Sequence, residues 1–232
     1  MKRLRRFVTL TCLGVFGVAL LWLLWWFFWV AYWGYFNPQM THFMEIRLSE
    51  LREKQPDATL RHQWVSYEQI SPNLKRAIIA AEDARFVDHE GFDWEGIQTA
   101  WEKNLAKGRI VAGGSTISQQ LAKNLFLSSQ RTPWRKAEEA VITVMLEAVM
   151  DKRRIFEIYL NVIEWGDGVF GAEAAARHYF RTPAARLSAA QAARLAAMVP
   201  NPRYYDTHRN DRSLARKAAI IQRRMAYADV PG

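Results

Sequence analysis

Two adjacent carboxylates at positions 82 and 83 are the first candidates for chemistry. Glu82 and Asp83 end an apolar segment and precede a loop that contains His89 and Gly91. If that segment is a helix, its C-terminal end carries partial negative charge, and this charge and partial burial both raise the pKa of a carboxyl group. A raised pKa gives Glu82 the basicity that a general base needs. The alternative is a surface Glu-Asp pair in the last turn of a helix, which the pattern by itself favours.

A second candidate is the segment from Gly113 to Asn124, which opens with two glycines. Thr116 with Gln119 forms a capping-box pattern that predicts a helix start, and backbone N–H groups at helix N-termini bind anions. Thr116, Gln120 and Lys123 then share one face of the helix, which suits a phosphate or pyrophosphate. The spacing is not that of a nucleotide-binding P-loop. A simple capped helix explains the pattern equally well.

The remaining candidate side chains give weaker signals. Glu139 follows Arg135 by four residues, so its plain role is a helix-surface ion pair worth about 0.2–0.5 kcal/mol. His89 and His178 each stand alone, which favours a loop hydrogen bond or core packing over metal ligation. The sequence shows no cluster with the spacing of a structural metal site. No Gly-x-Ser-x-Gly turn indicates a serine nucleophile.

The elements that must position these groups begin with a predicted membrane anchor over residues 1–36. A basic tip (Lys2, Arg3, Arg5 and Arg6) precedes residues 7–36, which contain no Asp, Glu, Lys or Arg. About 20 apolar residues cross ~30 Å of hydrocarbon, so the run is long enough even when tilted. Aromatic residues crowd its C-terminal half, as at an outer interface, and the basic tip favours a cytoplasmic N-terminus. The run exceeds the ~7–15 residues of a signal peptide, and no small-residue cleavage site follows it.

Charge and cysteine content bound the function of the remaining chain. The formal net charge is +9, and the basic tip supplies four of these charges. Further basic residues cluster at 152–154 and between 203 and 224. Basic patches beside a membrane favour anionic head groups and phosphates, with a solvated basic face as the alternative. Cys12 is the single cysteine and lies in the predicted span, so the exported part has neither disulfide nor thiol chemistry.

Helical patterns dominate the chain after the anchor. Residues 37–70 show little periodicity and are predicted as a connector, whereas residues 71–232 are predicted as one domain with a substantial core. Helix starts are predicted at Ser71-Pro72, Thr116 with Gln119, Thr132-Pro133, and Ser188 with Gln191. Apolar spacing predicts further helices over residues 92–107, 155–162 and 172–179. Strand signals are weak, so the predicted fold class is mainly α.

Five segments in a fixed order carry a family resemblance. They are Glu82-Asp83-x-x-Phe86-x-x-His89-x-Gly91, Gly113 to Asn124, Arg135-Lys136-x-x-Glu139, Arg154 to Phe180 with its Tyr159-Leu160-Asn161 and three glycines, and Leu187-Ser188-x-x-Gln191 to Pro200-Asn201-Pro202. In these segments the chain resembles the peptidoglycan glycosyltransferases of family 51, in particular the monofunctional biosynthetic transglycosylases. The match covers about residues 70–205, and Arg181-Thr182 is a small departure from the family pattern.

The resemblance implies a lysozyme-like, two-lobed helical domain that polymerises lipid-linked disaccharide-pentapeptides. The 4-hydroxyl of an acceptor lipid II would attack the anomeric carbon of the growing lipid-linked glycan. Polyprenyl pyrophosphate would leave, and a β-1,4 bond would form with inversion. The implied location is the inner (cytoplasmic) membrane, with the catalytic domain in the periplasm. The implied partners are lipid II, the growing glycan, the membrane and proteins of cell division or elongation, without nucleic acid.

The resemblance also assigns roles to the candidate residues. Glu82 would be the general base, and Glu139 would lie near the donor pyrophosphate, alone or through a divalent cation (Mg or Mn), with no organic cofactor. The side chains expected to bind substrate are Asp83, Ser115, Thr116, Gln120, Lys123, Asn124, Arg135 and Lys136. The three cations among them would offset charge on the leaving group. The helix over residues 92–107 would face the membrane, so Trp94 and Trp101 would enter lipid; ordinary helix core is the alternative.

Two rival functions fit parts of the sequence. A lytic enzyme of similar fold would also use one glutamate, as an acid, but it does not need the cationic, phosphate-suited segments. A non-catalytic scaffold for wall synthesis predicts decay of Glu82, Lys123 or Glu139, and all three are present. The sequence therefore favours the synthase over both rivals.

Overall fold

The computed structural model describes residues 2–109, 113–128, 130 and 132–232 of the 232-residue chain. The predicted domain 71–232 includes residues 110–112, 129 and 131, which lie outside the described residues. The described α-helices are α1 (Lys2–Tyr35), α2 (His42–Lys54), α3 (Pro72–Glu82), α4 (Trp94–Lys107), α5 (Ile117–Phe126), α6 (Pro133–Val149), α7 (Lys152–Val162), α8 (Ala172–Phe180), α9 (Ala189–Met198), α10 (Pro202–Thr207) and α11 (Arg212–Arg224). The mainly α fold class is confirmed.

The helix starts predicted from capping patterns are confirmed. Ser71 accepts a hydrogen bond from the Asn73 backbone N–H, and Pro72 begins α3. Thr116 with Gln119 and Ser188 with Gln191 form reciprocal capping boxes at α5 and α9. Thr132 caps α6 through the backbone N–H of Arg135. Each cap satisfies N–H groups that the first helical turn leaves without partners.

A small sheet adds to the helical pattern. Its strands are β1 (Arg61–His62), β2 (Glu164–Gly166) and β3 (Val169–Phe170), in the order β1-β3-β2. The β1-β3 pair is parallel and the β2-β3 pair is antiparallel. Gly168 between β2 and β3 has φ +70°, a backbone conformation that glycine adopts without steric cost. Strands this short leave almost no alternating pattern, which explains the weak sequence signal.

The prediction that residues 37–70 are a connector with little periodicity is corrected by the structure. This segment contains helix α2, strand β1 and a 3-10 turn, Tyr67–Gln69. Helix α2 packs on α5, and β1 pairs with β3. The buried amide of Asn161 in α7 bonds both the N–H and the C=O of Val65 at 3.0 Å. The sequence pattern misses this because α2 buries few side chains, among them Met44 and Arg47.

The core includes buried side chains of α3, α5, α7 and α9. Helix α3 packs on α9 and α11, while α5 packs on α6 and α7. The largest fully buried side chains include Trp165, Tyr159 and Phe86. Residues predicted as the core face of the second candidate segment, Ile117, Leu121 and Leu125, are buried. This packing brings the end of α3 against the middle of α5.

The C-terminal end of α1 is docked on the domain. Val30 is fully buried, and a Cβ at Gly34 would lie 3.8 Å from side-chain atoms of Val149 and Met150. The guanidinium of Arg154 donates to the carbonyl oxygens of Trp33 at 2.9 Å and Phe36 at 2.8 Å. These bonds satisfy carbonyl groups that the end of a helix leaves without partners. The anchor is therefore joined to the domain by packing as well as by the chain.

Helix α4 exposes its aromatic residues. Trp94 is 71% exposed and Trp101 is 66% exposed, while Ala100 is buried. The alternative that the two tryptophans form ordinary helix core is therefore wrong. Their entry into lipid stays a prediction.

Candidate active site

Glu82 lies at the junction of three helices. It is the last residue of α3, and its Oε2 accepts a hydrogen bond of 2.8 Å from Nε2 of Gln120 in α5. The Oε1 of Gln120 in turn accepts a 2.9 Å hydrogen bond from the hydroxyl of Tyr159 in α7. Because Tyr159 is fully buried, its hydroxyl holds the Gln120 amide in the orientation that points N–H toward Glu82.

The environment of Glu82 raises the pKa of its carboxyl group. Burial is the largest cause, and the negative charge of Asp83 adds to it. The hydrogen bond from Gln120 and the ammonium of Lys123 act in the opposite direction. A carboxylate that is partly desolvated yet still held by a donor is a stronger base than one in water. The predicted direction is confirmed, with burial as its main cause.

Asp83 has a structural position that the sequence did not predict. Its Oδ2 accepts from the backbone N–H of Ile117 at 2.9 Å, so the carboxylate sits at the N-terminus of α5. Nε2 of His89 lies 3.0 Å from Oδ1. A carboxylate is stabilised at a helix N-terminus by the helix dipole and the free N–H groups. Asp83 therefore connects the loop after Glu82 to α5. It also occupies the backbone N–H of Ile117, one of the groups that the sequence predicted to bind a substrate anion.

Thr116 also differs from its predicted orientation toward substrate. It is 2% exposed, it caps Gln119, and its hydroxyl donates to the carbonyl oxygen of Gly91 at 2.6 Å. Gly91 has φ +86°, and an added Cβ would lie 2.8 Å from Cγ2 of Thr143, so glycine is required there. These two residues fasten the loop after α3 to the start of α5. The capped-helix alternative describes this end of α5.

The first turns of α6 hold the remaining charged candidates. Glu139 is 3% exposed, and its Oε2 accepts from Nη1 of Arg135 at 2.7 Å. Its other carboxylate oxygen accepts from the ammonium of Lys136. That ammonium also lies 3.5 Å from the hydroxyl of Ser115, which is exposed. The predicted Arg135–Glu139 ion pair is confirmed, but it is a buried carboxylate between two cations.

Lys123 lies between the two carboxylates. Burial lowers the pKa of its ammonium, Glu139 and Glu82 raise it, and Arg135 lowers it further. The Lys123 ammonium makes no ion pair at contact distance with a described residue. Lys123 is a partly buried cation near other cations, and its N–H donors are not held in an ion pair with a described residue. Such a group favours the binding of an anion. Lys123, Arg135 and Lys136 are called the cation cluster below.

A cleft of about 220 Å³ opens beside Lys123 of the cation cluster. Gln120, Lys123 and Asn124 form one wall, and Glu164 and Arg203 lie on the other. The amide nitrogen of Asn124 donates to the carbonyl oxygen of Gln120 at 2.8 Å, which leaves its amide oxygen as an acceptor. The structure therefore brings Glu82, Gln120, Lys123 and Asn124 to one side of α5.

The sequence model of the Transglycosylase family matches residues 49–226. The chain belongs to this family. Similar proteins include the biosynthetic peptidoglycan transglycosylases of Laribacter hongkongensis, 76% identical over 91% of this chain and 93% of the relative, and of Chromobacterium violaceum, 71% identical over the same shares. That of Dechloromonas aromatica is 66% identical over the full length of both chains.

The transglycosylase family assignment confirms the resemblance in the five sequence segments. The chain is a peptidoglycan glycosyltransferase, with one N-terminal helix long and apolar enough to be a membrane anchor. The family match begins at residue 49, inside the predicted connector. Helix α2 therefore begins before the matched region, although its buried residues Met44 and Arg47 already pack on the domain.

Glu139, the residue predicted to bind a divalent cation in this transglycosylase, has its carboxylate occupied by other side chains. Both carboxylate oxygens of Glu139 are already taken, by Arg135 and Lys136. No group of three His, Cys, Asp or Glu side chains that could hold a metal occurs in the described part of the chain. A divalent cation at Glu139 stays a prediction, and no step below depends on one.

Two residues of the transglycosylase site were missed as candidates. Tyr159 belongs to the fourth family segment, but no role was predicted for it from the sequence. In the structure its hydroxyl orients the amide of Gln120. Glu164 lines the cleft and is 7% exposed, and Nε of Arg47 in α2 donates to its Oε1 at 3.0 Å. Burial raises the pKa of Glu164, while Arg47 opposes that shift. No sequence signal joins these two residues, because 117 positions separate them.

Proposed function

We propose that the enzyme extends a lipid-linked glycan by direct transfer onto lipid II. Glu82 takes the proton of the acceptor 4-hydroxyl, and that oxygen attacks the anomeric carbon of the growing chain. The bond from that carbon to the pyrophosphate oxygen breaks, and its electron pair leaves with polyprenyl pyrophosphate. Attack from the face opposite the leaving group inverts the α-linked donor to a β-1,4 bond. One oxygen-carbon bond forms, one breaks, and the proton remains on Glu82.

The single observation that carries this proposal is the position of Glu82 beside the cation cluster. A half-buried glutamate with a raised pKa faces, along α5, an ammonium that lacks a contact ion pair with a described residue. Transfer from a pyrophosphate needs one base on the nucleophile side and positive charge on the leaving-group side. Glu82 on α3 meets the first requirement and Lys123 on α5 meets the second. Gln120, which binds Glu82, lies about one helical turn from Lys123 on α5.

The cation cluster offsets the charge that grows on the pyrophosphate. Lys123 is free to bind it directly, whereas Arg135 and Lys136 share their charge with Glu139. Glu139 acts here as a positioning residue that holds the two cations in place. Ser115 and Asn124 present a hydroxyl and an amide toward the same region, where they bind sugar or phosphate oxygens. Asp83 and Thr116 do not contact substrate in this proposal; their hydrogen bonds fix the loop after α3 to the start of α5.

A glycan-cleaving activity is the main rival, since it also uses a buried glutamate. Cleavage of a polymer by water releases no pyrophosphate, so it gives no reason for three cations and a buried carboxylate between two of them. The same arrangement argues against a non-catalytic scaffold, because it leaves Lys123 partly desolvated without a contact ion pair to a described residue, which costs free energy unless an anion binds.

The anchor supplies the location in this proposal. The basic residues before the span favour a cytoplasmic N-terminus, which puts the domain on the periplasmic side of the inner membrane in this proposal. Lipid II carries its pyrophosphate at the membrane surface, and α1 is docked directly on α6, which holds Arg135 and Lys136. The docked anchor thus keeps the cation cluster at the depth of the substrate head group.

The decisive experiment is incubation of the purified full-length protein with lipid II in detergent. We expect long glycan from the wild-type protein, suppression by a moenomycin-type inhibitor, and no glycan from Glu82→Gln. Glu90→Gln is the matched control, because Glu90 is an exposed carboxylate in the same loop, and it should keep wild-type activity. Near-normal polymerisation by Glu82→Gln, or cleavage of preformed glycan without synthesis, would overturn the proposal.

A further inference from the structure

An aromatic seam marks where α1 leaves the domain. The rings of Trp26 and Phe126 lie 5.3 Å apart, and the rings of Trp22 and Trp134 lie 6.4 Å apart. Together with buried Val30, these contacts recur every four residues along α1, which is one face of a helix. Trp134 contacts Trp22, which is the residue of this seam nearest the N-terminus of α1. The side chain of Trp134 is 70% exposed.

An apolar groove of about 610 Å³ begins at this point, between α1 and Trp134. Its lining residues are Gly14, Val15, Val18, Ala19, Trp22, Leu23 and Trp134. The volume falls within the ~300–1,000 Å³ of sites that bind small molecules. Small side chains on α1 form its floor, and two indole rings close one end. We call it the anchor groove.

The anchor groove lies at the depth of the lipid chains. The apolar run starts at Phe7, and a rise of 1.5 Å per residue places Gly14 about 10 Å and Trp22 about 22 Å along the helix from that point. The hydrocarbon core is ~30 Å thick. With the basic tip at one surface, the groove spans the middle of the core and ends about 8 Å from the surface on the side of the domain.

Trp134 connects the anchor groove to the charged site. It directly precedes Arg135 and Lys136 at the start of α6, so the apolar wall and the two cations follow each other within one helical turn. A ligand that suits both parts has an anionic head group joined to a long hydrocarbon chain. Arg135 and Lys136 would meet the head group, while the groove would take the start of the chain.

We propose that the anchor groove binds the polyprenyl chain of the lipid-linked donor while its pyrophosphate lies at the cation cluster. The inference rests on the proposed function for the identity of the substrate. It makes α1 part of the substrate site: the helix contributes one wall, and the domain contributes Trp134. The docking of α1 through Val30 and Arg154 then keeps that wall in register with the cations.

Photo-crosslinking of the full-length protein in vesicles tests the groove without turnover. The probe is a polyprenyl pyrophosphate with a diazirine near its head group, and a diazirine-bearing phosphatidylglycerol is the comparison. We expect labelling of peptides that contain Val18 or Trp134, and competition by unlabelled polyprenyl pyrophosphate but not by phosphatidylglycerol. Equal labelling by the phospholipid probe, or equal competition by both lipids, overturns the proposal.

A kinetic arm compares donors with a long polyprenyl chain and with a geranyl chain. Ala19→Phe narrows the groove and Trp134→Ala removes one wall, so both should lower kcat/KM about fivefold or more with the long chain and under about twofold with the short chain. Leu20→Phe and Trp25→Ala are matched controls, because both residues are exposed on α1 and lie outside the groove lining. Equal losses with both donors overturn the groove. If the wild-type protein polymerises neither donor, the proposed function fails, and the crosslinking result decides the groove separately.

Discussion

Nε2 of Gln120 lies 2.8 Å from Oε2 of Glu82, so the predicted base is held by the helix that also carries Lys123. The same amide is fixed from behind by the hydroxyl of Tyr159. Three helices that are distant in sequence therefore set the position and the pKa of one carboxylate. This relationship makes the basicity of Glu82 adjustable by substitutions that do not touch the carboxylate itself.

Gln120→Ala should move the acidic limb of the activity profile to higher pH. The hydrogen bond stabilises the charged carboxylate, so its loss raises the pKa of Glu82, and less of the base is deprotonated at a given pH. We expect kcat/KM near neutral pH to fall about tenfold. Tyr159→Phe should shift the limb in the same direction by less, while Gln98→Ala, an exposed amide change on α4, should not shift it. An unshifted limb in Gln120→Ala contradicts the proposed coupling.

Glu82→Gln should stabilise the fold at neutral pH. The pKa of Glu82 is higher in the folded protein than in the unfolded chain, so the charged form costs folding free energy at every pH above the folded-state pKa. That cost disappears as the pH falls below the unfolded-state value. The Tm of Glu82→Gln in detergent should therefore exceed that of wild type near neutral pH, and the difference should vanish in acid. Glu90→Gln should show no such trend, and a lower Tm of Glu82→Gln at all pH values would refute the burial argument.

Lys123→Ala should reduce kcat more than tenfold, which is about 1.4 kcal/mol of transition-state stabilisation. The ammonium binds charge that grows as the pyrophosphate leaves, so kcat should fall more than KM rises. Lys123→Arg should recover part of the rate, since it keeps the charge but changes its reach. Lys107→Ala, at an exposed position on α4, is the control. Steady-state kinetics with lipid II would count against this role if Lys123→Ala kept kcat and raised KM alone.

Arg47→Met should destabilise the domain by about 3–5 kcal/mol, because it removes the nearest cation from the buried carboxylate of Glu164 and leaves it the more distant guanidinium of Arg203 at 4.0 Å. The double variant Arg47→Met with Glu164→Gln should recover much of that loss, since no buried charge remains. Arg52→Met is the matched control: Arg52 is an exposed residue of α2 that bonds only the carbonyl oxygen of Ala58. Denaturant unfolding measures all three variants, and additive losses in the double variant would argue that Glu164 is not stabilised by Arg47.

Local signals in the sequence were sufficient for much of the fold. Capping residues such as Ser71 and Thr116 mark helix starts because they bond N–H groups within three positions, which is a property of neighbouring residues. The connector was misjudged for the opposite reason. Its helix α2 is stabilised by Arg47 and Met44 against distant parts of the chain, and such contacts leave no periodic pattern.

The sequence by itself determined the anchor, the helical class, the family and the identity of Glu82 and Lys123 as chemical groups, because each depends on residue type and short-range order. Only the tertiary structure decided which of the predicted groups are already bonded within the fold. It assigned Asp83 to the N-terminus of α5 and Thr116 to a buried cap, and it added Glu164 to the cleft. The physical reason is that the burial, the electrostatic environment and the hydrogen-bond partners of a side chain depend on residues far apart in the chain. These three properties determine whether a polar group is bonded within the protein or remains available to a ligand.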